Sequence, residues 1–210
     1  MENIMTLLTF LFACGTVPGP TYSGHGTYDY LAFDGERSWK YQTDAEDIEY
    51  TLVVEKTAYE YLDGMEYVTF EYSTEDPQAL LGSVSWEAGG INGSGISGYT
   101  LGDEEVIFDT VVGFANHRMV SGDTVETTTN GVTFTSTLLG LEPCQNNWSP
   151  DDWECLHFSL TVDQTDHTFP FVGDYWMANG WGPSIFNVPN GAWGSSDDWI
   201  LIGAEWDISE

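Results

Sequence analysis

The chain is short of positive charge. Its 210 residues include only four Lys plus Arg (Arg37, Lys40, Lys56 and Arg118) against 34 Asp plus Glu, a formal net charge of −30. A surface of that sign repels phosphate backbones, which argues against nucleic acid as a partner, and it has no electrostatic hold on anionic lipid headgroups. The acidity reads as a solvated surface that keeps an exported protein soluble; a field that gathers divalent cations or basic partners is the competing reading. No apolar run reaches the roughly 20 residues that a membrane-spanning helix needs. Beyond the first residues no window keeps a helical apolar period, and the only helix candidate, Thr74 to Leu81, is about two turns long. Catalytic and metal motifs are scarce as well. The histidines (His25, His117, His157, His167) form no HxxxH or His-x-His pair, and Gly93 to Gly98 does not fit a Gly-x-Ser-x-Gly elbow. No Lys follows that glycine-rich stretch as a phosphate loop would require. With so many carboxylates, acidic neighbours arise by chance and do not indicate glycosidase chemistry.

The N-terminus has a definite character. Ile4, Met5, Leu7, Leu8, Phe10, Leu11 and Phe12 form a short apolar core that ends at Ala13-Cys14, ahead of the turn-forming segment Gly15 to Gly26. Leu11-Phe12-Ala13-Cys14 resembles the lipobox of bacterial lipoproteins. That resemblance implies export, cleavage after residue 13 and a diacylglycerol on Cys14, with residues 14–26 as a tether and 27–210 as one domain. A plain signal peptide or a misplaced start is the competing reading. Gly15 follows the cysteine where an Asp would hold such a protein in the inner membrane, so the resemblance favours the outer membrane, with the lipid as the means of attachment. Lipidation of Cys14 leaves Cys144 and Cys155 as an even pair in an oxidising compartment. A bridge between them closes a small loop and contributes about 2–3 kcal/mol by chain entropy. Ligation of a metal by the two thiols is the alternative, without a CxxC or a Cys/His ladder to support it.

The remainder reads as β-structure. Tyr28–Phe33, Arg37–Gln42, Ile48–Tyr59, Glu66–Tyr72, Gly82–Ala88, Glu105–Val112, Thr124–Leu141 and Glu154–Val162 alternate apolar and polar residues or are rich in β-branched and aromatic ones. Asp34-Gly35, Asp63-Gly64 and Asn130-Gly131 are tight-turn pairs, the last between two threonine-rich runs that predict a hairpin with a type I′ turn. Gly89 to Gly98 is so rich in glycine that it reads as a mobile loop. Gly180, Gly182 and Pro183 predict a strand at Tyr175 to Met177 that turns sharply into Ile185 to Val188. Turn signals every eight to twelve residues with no helices between them make this an all-β single domain of antiparallel hairpins, forming a strongly curved sheet, half-barrel or sandwich.

Three stretches carry a second resemblance. Tyr30-Leu31-Ala32-Phe33-Asp34-Gly35-Glu36-Arg37-Ser38-Trp39-Lys40-Tyr41 resembles the opening of a broad set of β-rich secreted and lipid-anchored bacterial proteins. Gly131-Val132-Thr133-Phe134 with Glu154-Cys155-Leu156-His157-Phe158 is similar to their central strands, and Asp174-Tyr175-Trp176-Met177-Ala178-Asn179-Gly180-Trp181-Gly182-Pro183 to their closing segment. The resemblance implies a curved antiparallel sheet, not an activity.

Candidate sites follow from side-chain type. Tyr175, Trp176 and Trp181 are core aromatics packed across the open side of the sheet or, functionally, a stacking platform for a sugar or apolar ligand. Asp151, Asp152, Asp197 and Asp198 occur in two Asp-Asp-Trp triplets after turn-forming stretches, where oxygen ligands suit Ca²⁺, although neither loop has the spacing of an EF-hand. The expectation is a lipid-anchored cell-envelope protein without a cofactor and without a catalytic step, serving as a binding module for a small apolar or carbohydrate ligand or as a structural module. The alternatives are an envelope-polymer hydrolase using an Asp/Glu pair, or a calcium-binding surface protein.

Overall fold

A computed structural model describes residues 25–27, 30, 36–43, 51–75, 82–89, 93–144, 154–164, 169–187 and 199–207. Among them are fourteen strands: β1 His25–Gly26, β2 Glu36–Thr43, β3 Thr51–Leu62, β4 Met65–Thr74, β5 Gly82–Gly89, β6 Gly93–Leu101, β7 Glu104–Ala115, β8 Arg118–Met119, β9 Thr124–Thr129, β10 Val132–Pro143, β11 Glu154–Val162, β12 Gly173–Ala178, β13 Gly182–Asn187 and β14 Trp199–Asp207. β1 pairs with β8, and the other twelve form one antiparallel sheet in the order β7-β6-β5-β4-β3-β2-β14-β13-β12-β11-β10-β9. The expected all-β, strongly curved sheet is what forms. Every neighbouring pair except β14 with β2 is adjacent in sequence, so hairpin closure builds both halves and one long-range pairing joins them.

The two ends of the sheet meet. β7 and β9 are not joined by a backbone ladder. The N–H groups of Thr110 and Gly113 on β7 donate instead to the hydroxyls of Thr129 and Thr127 on β9, at 3.2 and 3.0 Å. Gly113 has no Cβ at this seam; one added there would press on Val125 of β9. The result is a barrel closed by side-chain hydroxyls, which leaves fewer unpaired edge groups than an open sheet.

The period of two sends apolar side chains inward. Trp39, Tyr41, Leu52, Val54, Phe70, Trp86, Phe114, Phe134, Phe158 and Tyr175 belong to one buried cluster in the barrel interior. Outward positions such as Thr69, Glu71, Thr133, Thr135, Ser159 and Thr161 are polar and at least partly exposed, while Tyr61, Ile107 and Leu139 are exposed apolar positions. One end is plugged by the turn before β12: Phe169 and Phe171 pack on Tyr99, Phe108 and Phe134 with centroids 5.0–6.2 Å apart. At the other end lie the Cys144–Cys155 disulfide, the β12–β13 turn and the tip of the β3–β4 hairpin.

The predicted hairpin turns form as read. Asn130 and Gly131 have φ of 52° and 78°, and Asp63 and Gly64 have 52° and 85°, both residues of each pair left-handed as type I′ requires. The glycine-rich stretch corrects an expectation: Gly93–Leu101 is not a mobile loop but the buried strand β6, paired on both sides. Its glycines serve close approach, because a Cβ on Gly95 or Gly98 would lie 2.6 Å from the carbonyl oxygen of Val112 or Val106. A second correction concerns Tyr28–Phe33, expected as a strand. Its one described residue, Tyr30, is helical and donates its N–H to Thr27 O at 3.1 Å; the other five lie outside the described residues. Residues 1–24, the turn Asp34-Gly35 and most of the Thr74–Leu81 helix candidate lie outside the described residues.

Candidate ligand-binding site

Inside the barrel, two sheet segments that are distant in sequence face each other across a cavity. β2 supplies Trp39 and Tyr41, β3 Val54, β4 Phe70 and Tyr72, and β5 Trp86; opposite them stand Tyr175 and Met177 of β12 and Pro183 and Phe186 of β13. Alternation explains the selection. Trp39 pairs with Val54 and Val54 with Tyr72, and side chains opposite each other in a ladder share a face, so all three point inward. The cavity measures about 40 Å³, counted as space open to the centre of a water molecule. It is several times the minimum that holds one water, yet its walls are mainly carbon.

The polar atoms of these walls are tied back to the backbone. Trp39 Nε1–H donates to Trp181 O at 2.7 Å, and Tyr41 Oη–H donates to Pro183 O at 2.8 Å. These carbonyls are presented where the β12–β13 register slips between Trp176 and Met177. Tyr175 Oη–H donates to Phe171 O at 2.5 Å. Burial pushes the phenols of Tyr41, Tyr72 and Tyr175 well above their ordinary range, and proximity to Tyr72 adds to the effect on the other two. All three therefore stay neutral at physiological pH. The aromatic walls are packed edge to face: Trp39 on Phe70 with centroids at 5.4 Å, Tyr41 on Phe186 at 4.8 Å, Trp86 on Phe114 at 5.1 Å.

Of the three aromatics expected to form a platform, the structure places one in this cavity. Tyr175 lines it; Trp176, the next residue, points to the outer wall, and Trp181 does not line it, its carbonyl accepting from Trp39 Nε1–H. Trp176 and Trp181 instead pack around Cys144, Cys155 and Ala178. The disulfide forms between Cys144 and Cys155. Beside it, the His157 and Trp176 rings stack with centroids 4.0 Å apart. Glu142 accepts from Trp176 Nε1–H at 3.1 Å and contacts His157 Nδ1 at 3.2 Å. Those two bonds hold the Glu142 carboxyl below its usual range. Asp151, Asp152, Asp197, Asp198, His167 and Cys14 lie outside the described residues.

Sequence reading did not single out Trp39, Tyr41, Phe70, Tyr72 and Trp86. Their signal was present as inward positions of alternating strands, but only the β14–β2 pairing turns those strands toward β12 and β13. No protein-family model, no curated protein and no solved structure matches the chain.

Proposed function

We propose that the protein is a non-catalytic binding module of the cell envelope, anchored by a lipid on Cys14, whose barrel interior receives a small, mainly apolar group. The observation that supports this reading is the cavity bounded by Trp39, Tyr41, Phe70, Tyr72, Trp86, Tyr175 and Phe186 within the barrel. Protein interiors pack with few voids larger than a water molecule, so an aromatic-lined space has to be accounted for. A hydrolase of envelope polymers needs a pair of acids in its cleft. The residues lining this cavity include no Asp or Glu, so the binding reading is the better supported one for this site.

Native mass spectrometry of the chain from Thr21 onward, purified from a bacterial periplasm, tests the proposal. A discrete organic mass that survives gentle ionisation, and that Tyr175→Ala or Trp86→Ala releases, is the expected result. A bare chain in every preparation, together with no uptake of small apolar probes, overturns it. The anchor is tested separately: Cys14→Ser in the full chain should abolish labelling by a radiolabelled fatty acid and move the protein out of the membrane fraction.

A further inference from the structure

The walls of the cavity are more selective than an apolar ligand requires. Seven of its ten lining residues are aromatic, where aliphatic side chains would bury a hydrocarbon equally well. A ring face is electrostatically negative and its edge positive, and indole and phenol add their donors at the edge. Three of the five edge donors here are engaged with backbone carbonyls: Trp39 with Trp181 O, Tyr41 with Pro183 O and Tyr175 with Phe171 O. An entering anion or carbonyl finds these donors occupied, whereas a cation needs no donor and is attracted by aromatic rings. The net charge of −30 favours the approach of cations from solution.

Size narrows the class. Taken as a sphere, 40 Å³ of space for the centre of a water molecule has a radius of about 2.1 Å, and the water's own radius of about 1.4 Å extends it to about 3.5 Å. A quaternary methylammonium, with a C–N bond of about 1.5 Å and a methyl contact radius of about 1.9 Å, has a radius of about 3.4 Å. The geometry points to a methylated ammonium, the head of a choline-like molecule, as the occupant of this cavity, held against the ring faces by cation–π attraction. The inference rests on the cavity being a ligand site, as proposed above, and specifies its chemistry.

The test compares choline with 3,3-dimethylbutan-1-ol, its neutral isostere, each titrated into the whole protein with tryptophan fluorescence as readout and competition by tetramethylammonium as a check. Choline should saturate the signal at about tenfold lower concentration than the alcohol. Trp86→Leu, and independently Phe70→Leu, should bring the ratio of choline to alcohol affinity, read within each variant, from about ten to about one; two variants guard against one failing to fold. Equal affinity for choline and the alcohol overturns the cation assignment but leaves the apolar-ligand reading standing. Binding of neither overturns both. Sedimentation with phosphatidylcholine vesicles separates the sources. Co-sedimentation that choline competes away identifies a lipid headgroup as the donor of the ammonium, and choline binding without co-sedimentation identifies a free solute.

Discussion

Replacing Thr129 by valine should open the barrel at its seam. The hydroxyl of Thr129, itself only 4% exposed, is the acceptor for the N–H of the exposed Thr110 at 3.2 Å. Valine keeps the shape and removes the acceptor, so a bond with a net worth of about 0.5–1.5 kcal/mol is lost. For a chain of this size that lowers Tm by about 1–6 °C. Thr127, which accepts from Gly113 N–H at 3.0 Å, is partly buried, as is Gly113, so Thr127→Val should cost a similar amount, about 0.5–1.5 kcal/mol. Urea titration with fluorescence gives the two stabilities. Hydrogen exchange resolved by NMR should show faster exchange at the Thr110 amide in Thr129→Val and at the Gly113 amide in Thr127→Val, with the β10–β11 amides unchanged. If both variants match the parent in stability and in exchange at Thr110 and Gly113, the hydroxyls do not close the barrel and the seam argument is wrong.

Reduction of the Cys144–Cys155 bridge, or Cys144→Ser with Cys155→Ser, should lower stability by about 3 kcal/mol, read as a Tm difference with and without dithiothreitol. Because burial raises the phenols of Tyr41, Tyr72 and Tyr175, the folded state holds protons that the unfolded chain releases near pH 10. Their contribution is therefore complete below about pH 10 and is lost as pH rises further, by up to about 1.4 kcal/mol per pH unit for each phenol. Tyr41→Phe should cost about 1 kcal/mol at neutral pH through the lost bond to Pro183 O and should flatten this alkaline slope, as followed by urea midpoints across pH. Trp176→Phe removes the N–H that helps hold Glu142 below the ordinary carboxylate range, so an NMR titration should show Glu142 taking up its proton at higher pH than in the parent. In the parent, the stabilisation from Glu142 is present above its unfolded value of about 4.3 and declines as pH falls through its lowered folded one.

Local chemistry determined a large part of this protein from sequence alone. Asn130-Gly131 and Asp63-Gly64 needed no tertiary help, because a two-residue hairpin with both φ positive is set by the residues in it. The alternation in Glu154–Val162 likewise told that Leu156 and Phe158 point one way and Cys155 and His157 the other, and the cysteine pair was legible by count. Gly93–Leu101 was misread because glycine signals a flexible loop when only the chain is seen. Its use as a strand follows from the carbonyls of Val106 and Val112 on the neighbouring strand, which leave no room for a Cβ. Trp176 was grouped with Tyr175 by proximity in sequence, although adjacent strand residues face opposite sides and only Tyr175 belongs to the interior. Only the tertiary structure decided that the sheet closes, since no local pattern encodes the pairing of Trp39 with Ala204 or the bonds from Thr110 and Gly113 to Thr129 and Thr127. The cavity is a product of that closure. Each of its side chains was visible as an apolar position, but their convergence depends on contacts more than 140 residues apart, such as Tyr41 with Pro183 at a separation of 142.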